Sequence, residues 1–166
     1  MPTNPVLVKL CRVWNRLVDK LKEMGLMFED DYRALICRME GDRAEMRVGS
    51  AAGHTTHVDL KERTIAYYDT DDDVNEVMKR LFEGLAGAKC ELAPREGVLC
   101  SGVKDFEGAF KALAFATSMD YRISSPEDYY GPDFEKLDGA CKDVEDPIER
   151  EYCAVKKVLE KIGKIL

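Results

Sequence analysis

The chain has 166 residues, 45% of them hydrophobic and 34% charged, with a formal net charge of −7. That length carries one hydrophobic core, so a single domain spanning residues 1–166 is expected. An acidic balance argues against nucleic acid as a partner, because a phosphate-binding surface needs clustered Lys and Arg.

No uncharged stretch approaches the roughly 18 residues of a membrane span. The first residues lack the apolar run and small-residue cleavage site of a signal peptide. The expectation is a cytoplasmic protein with no membrane contact. There is no glutamine and only three asparagines, Asn4, Asn15 and Asn75, yet six cysteines. Heat-labile amides are thinned out in hyperthermophiles, whose intracellular proteins also tolerate disulfides. Composition therefore points to a hyperthermophilic archaeon or its virus.

Leu7, Leu10, Trp14, Leu17, Leu21 and Met24 recur at spacings of three and four and predict a first helix. Pro5 suits its first turn, and Gly25 followed by Leu26 suits its end. From Tyr32 the period becomes two. A turn at Gly41-Asp42 sets Met39 against Ala44, Cys37 against Met46 and Leu35 against Val48. The opposite face then pairs Arg38 with Glu45 and Glu40 with Arg43, so both faces agree on one register.

A second hairpin is expected to set Val58 and Leu60 against Tyr67 and Ile65, with a four-residue loop or bulge near Glu62-Arg63. Asp73 and Glu76 form a candidate capping box for a helix bearing Val74, Val77, Met78, Leu81, Phe82 and Leu85, ended by Gly87. A short hairpin turns around Pro94-Arg95-Glu96, and a third helix starts near Asp105.

Residues 120–145, rich in Tyr, Pro, Gly and acid, read as one long aromatic and acidic loop. A last helix follows, with Asp146 as cap and Pro147 in its first position. Its stripe is Ile148, Tyr152, Val155, Leu159, Ile162 and Leu166. The order describes an α+β fold: an antiparallel four-strand meander plus a short hairpin, packed with about four helices.

Candidate chemistry is sparse. Asp69 and Asp71 follow a strand and could hold Mg²⁺ for phosphoester hydrolysis, while the plainer reading makes this acidic run a helix cap. His54 and His57 sit three apart, so on a strand they point to opposite faces and make no zinc pair. Cys100-Ser-Gly102 precedes a helix, but no arginine follows at the spacing of a Cys-based phosphatase loop. No catalytic residue, metal or cofactor is assigned.

The arginines of hairpin 33–47 (Arg33, Arg38, Arg43, Arg47) suggest a nucleic-acid surface, offset by Glu40 and Glu45 among them. Tyr121, Tyr129, Tyr130 and Phe134 form the candidate partner-binding loop, since long loops inside a domain are often functional and Tyr gives contact area at low entropic cost. The terminal stripe, with Tyr152, Val155, Leu159 and Ile162, is the candidate dimer or docking helix.

Among the cysteines, a hairpin centred on Arg95 sets Cys90 opposite Cys100, and the chain entering the last helix brings Cys141 near Cys153. Cys11 and Cys37 remain, either paired or free. Together these features favour a non-catalytic interaction or assembly protein, a homodimer or a subunit bound to another protein. A small Mg²⁺-dependent hydrolase and a nucleic-acid-binding accessory protein are the alternatives.

Overall fold

A computed structural model describes residues 2–27, 36–47, 55–129 and 140–163. Helix α1 (Pro5–Glu23) is capped by the Asn4 side chain, which accepts from the Val6 amide. Gly25 then takes a positive φ of 76°, and the Leu26 amide closes on Leu21 O. Its buried side includes Leu7, Leu10, Trp14, Leu17 and Leu21.

Strands β1 (Ile36–Glu40) and β2 (Arg43–Arg47) pair in the expected register, Cys37 opposite Met46 and Arg38 opposite Glu45. The Leu35–Val48 pair lies outside the described residues. Strands β3 (Thr55–Asp59) and β4 (Thr64–Tyr68) follow, joined by a four-residue turn.

Their register differs from the sequence reading by two residues: Val58 faces Ile65, and Thr56 faces Tyr67. The cause is local. The Asp59 carboxylate accepts from the Lys61 and Glu62 amides, which starts the turn at Leu60 and takes that residue out of the strand.

Helix α2 (Asp72–Ala86) is capped by Asp71, not Asp73, because the Asp71 carboxylate reaches the amides of Asp73 and Val74. It ends at Gly87 in the left-handed region. Strands β5 (Lys89–Ala93) and β6 (Gly97–Ser101) form the second, shorter hairpin. That hairpin does not stand apart from the meander: β6 pairs with β4, giving one six-stranded antiparallel sheet in the order β1-β2-β3-β4-β6-β5.

Helix α3 (Phe106–Ala116) has almost every side chain buried, as its Ala-rich surface implies. The expected loop from 120 is partly helical. After a break at Thr117-Ser118, where Ser118 has φ 61°, come α4 (Met119–Ser124) and α5 (Pro126–Tyr129). A single 3₁₀ turn (Ala140–Asp143) leads into α6 (Pro147–Ile162), capped by Asp146.

The buried apolar side chains form one cluster between the helices and one sheet face, which contributes Ala44, Met46, Val58, Ile65, Tyr67 and Val98. Three disulfides tie this frame together: Cys11–Cys37 joins α1 to β1, Cys90–Cys100 joins β5 to β6, and Cys141–Cys153 joins the 3₁₀ turn to α6. No helix among the described residues is long and apolar enough to cross a membrane.

Candidate interaction surface

Alternation along the strands sends every second residue away from the helices. On this outer face Arg38, Arg43, Arg47, His57, Tyr68 and Leu99 are all exposed. Tyr68 and Leu99 are 46% and 49% accessible, high values for large apolar side chains on a sheet. The His57 and Tyr68 rings meet edge to face at 5.9 Å. A concavity of about 640 Å³ lies over β1–β4, bordered by Arg38, Glu40, Arg43, His57, Asp59 and Ala66.

The charges on this face are ordered. Arg43 Nε donates to Asp59 Oδ2 at 3.1 Å, and Arg47 Nε donates to Glu45 Oε1 at 2.7 Å. The Arg47 hydrogen bond holds Glu45 below the ordinary carboxylate range. Asp59 is held low first by the Glu62 amide and then by Arg43. Three of the four arginines read from the sequence thus share one face, each with a carboxylate beside it. Arg33 and His54 lie outside the described residues.

The acidic run is occupied with structure. Asp69 Oδ2 accepts from the Tyr67 hydroxyl at 2.8 Å, and its Oδ1 accepts from the Asp71 amide at 2.9 Å. Burial, and then the Asp69 charge, push the Tyr67 hydroxyl well above its usual pKa. Asp71 caps α2, Asp72 accepts from the Arg95 amide at 2.7 Å, and the Asp69 carbonyl accepts from Asn75 Nδ2. Among the described residues no group of three or more His, Cys, Asp or Glu is placed to hold a metal ion.

The aromatic candidates separate. Tyr121 and Tyr129 come together with ring centroids 6.4 Å apart. Tyr121 is exposed, whereas Tyr129 is 4% accessible and belongs to the interior. Tyr130 and Phe134 lie outside the described residues.

The terminal stripe packs in part against the chain's own core. Val155 is buried, and Tyr152, Leu159 and Ile162 pack against the core. Helix α6 leans on α2 and α4. Leu166 lies outside the described residues. The centre of the buried face is Glu151, Ala154, Val155 and Val158, rotated from the expected stripe because a buried ion pair sits on it.

That pair was not anticipated. Arg122 on α4 and Glu151 on α6 are 2% and 1% accessible. Arg122 Nε donates to Glu151 Oε1 at 2.7 Å, and Nη1 donates to Leu26 O and Thr117 O at 2.7 and 2.6 Å. Nη2 donates to Phe115 O. One guanidinium therefore joins the end of α1, the end of α3, and α6. The sequence signal was present in the spacing: Glu151, Val155 and Val158 fall at i, i+4 and i+7 on one helical face.

No protein-family model, curated protein or solved structure matches this chain.

Proposed function

We propose that this is a non-catalytic interaction protein, a subunit or adaptor that binds another protein through the outer face of its sheet. It would work in the cytoplasm of a hyperthermophilic archaeon or in its virus. The observation that carries the reading is a six-stranded sheet whose outer face is ordered by ion pairs yet leaves Tyr68 and Leu99 in water. Aromatic residues amid polar ones at an exposed face are the composition of a protein contact. The carboxylates that would serve hydrolysis are instead engaged in capping and in the Tyr67 hydrogen bond.

A photo-crosslinking residue placed at position 68 or 99, with position 76 on the helical side as control, tests this. Protein adducts concentrated at 68 and 99 are expected. Adducts equal at all three positions, or nucleic-acid adducts at 68 and 99, would reject the reading. So would Mg²⁺-dependent phosphatase activity that Asp69→Asn abolishes.

A further inference from the structure

We infer that the outer face is built to meet a second copy of this chain, the two sheets stacking face to face about a two-fold axis. The inference rests on the protein-binding reading above and names its partner. It follows from a regularity along the strands. Outer residues two apart carry opposite charges: Arg38 and Glu40 on β1, Glu45 and Arg43 on β2, Glu91 and Lys89 on β5. On β3 the corresponding residues are His57 and Asp59. On β4 and β6 the same two positions are uncharged, Ala66 with Thr64 and Leu99 with Ser101.

The register places these residues in two adjacent rows. Arg38, Glu45, His57, Ala66, Leu99 and Glu91 lie side by side across the sheet. Glu40, Arg43, Asp59 and Thr64 form the next row, with Ser101 opposite Lys89 beyond them. A two-fold contact requires that if residue i meets j, then j meets i. An axis between the stacked sheets, running across the strands at the level of Met39, Ala44, Val58 and Ile65, exchanges the two rows. Arg38 of each copy then lies over Glu40 of the other, Glu45 over Arg43, and His57 over Asp59. Stacked sheets cross at about 30°, so with the crossing point over β2 the adjoining strands shift by about 2 Å, within reach of these long side chains.

Two further observations favour a copy over an unlike partner. Glu45 is taken by Arg47 and Asp59 holds Arg43, so Arg38 and Glu40 have no hydrogen-bonded ion partner among the described residues. They sit two apart on one strand, which is the arrangement a two-fold axis completes. The outer face also balances, with Arg38, Arg43, Arg47 and Lys89 against Glu40, Glu45, Asp59 and Glu91, on a chain of net charge −7. Copies repel elsewhere and are neutral to one another here. The axis lies one residue from the middle of each strand, so three residues of each of the six strands overlap, a footprint of about 290 Å² per copy, below the roughly 1,000 Å² in total of a stable interface. The association is therefore of the weak, transient class.

Sedimentation equilibrium of the full chain tests this with Arg38→Glu, Glu40→Arg and the double exchange, each checked for native circular dichroism. The wild type is expected to dimerise, each single exchange to weaken the dimer by about 100-fold, and the double exchange to restore it. Restoration has no intrachain explanation, since the double exchange puts like charges across the β1–β2 ladder. A wild type that is monomeric at several hundred micromolar overturns the inference. So does a dimer indifferent to the single exchanges, or one that the double exchange fails to restore. If the dimer fails while positions 68 and 99 still crosslink to protein, self-association is wrong and the protein-binding reading stands. If those positions capture nucleic acid, both fall.

Discussion

Replacing Arg122 with methionine keeps an unbranched apolar stem and removes every hydrogen bond the side chain donates. Four acceptors lose their donor: the Glu151 carboxylate and the carbonyls of Leu26, Thr117 and Phe115. Glu151 is 1% accessible and would lose the guanidinium that balances its charge. Breaking one side of a buried pair costs about 3–5 kcal/mol, and each orphaned buried acceptor adds to it. A loss of about 5 kcal/mol is expected, as large as the whole stability of a marginal domain, whose range is about 5–15 kcal/mol.

The double variant Arg122→Met, Glu151→Leu removes that carboxylate as well and leaves the three carbonyls, so it should recover about 2 kcal/mol or more. Denaturant titration followed by circular dichroism gives both numbers. Salt should leave the difference unchanged, since the pair is shielded from water. An Arg122→Met loss below about 1 kcal/mol, or a double variant no more stable than the single one, would refute this account.

The three disulfides close loops of 26, 10 and 12 residues, each contributing about 3 kcal/mol in the chain-entropy account. Full reduction should therefore lower the melting temperature steeply, and an unchanged scan would remove their energetic role. Gly108→Ala places a Cβ 1.9 Å from Leu85 O, a backbone atom that cannot turn aside. It should cost about 3 kcal/mol by prying α3 from α2, measurable as a shift in urea midpoint at constant slope. Tyr67, neutral and buried against Asp69, leaves stability untouched below the ordinary tyrosine pKa of about 10 and erodes it as pH rises from there toward its raised folded-state value. In a spectrophotometric titration of the seven tyrosines, Tyr67 should ionise last and together with unfolding. Early ionisation in the native state would contradict its burial.

What could be read from the sequence followed from local constraints. The first hairpin was legible because its apolar and ionic faces demanded the same pairing, Cys37 with Met46 and Arg38 with Glu45. The second hairpin slipped by two because only apolar matching was used. Asp59, an acid able to capture the next two amides, marks the true start of that turn. Helix α4 escaped notice because the break before it uses Ser118 at positive φ, with neither glycine nor proline to announce it.

The union of meander and hairpin through β4 and β6 depends on a pairing across α2, which no local pattern encodes. Arg122 and Glu151 were missed because charged residues are ordinarily assigned to the surface, although helical period placed both inward. On the outer face the charge alternation within β1, β2 and β5 was readable. Its alignment into two rows across six strands needed the full register.

The placement of the disulfides bears on what such a face can do. Among the described residues no helix packs on the outer face, so its two edge strands have support there on one side alone, and regions with few buried contacts are the ones that open first. Both edges are fastened. Cys37 of β1 is joined to Cys11 on α1, and Cys90 of β5 is joined to Cys100 on β6. The β1–β2 turn is also held by Asn4, whose amide donates to Gly41 O and whose side chain donates to Asp42 Oδ1. Charged residues on the same edges, Arg38 and Glu40 at one and Lys89 and Glu91 at the other, discourage indiscriminate strand addition. The edges are thus protected from fraying and from unselective pairing while the face between them stays uncovered. A surface already rigid before contact loses less conformational freedom on binding, and that saving is what lets a small footprint hold a specific partner.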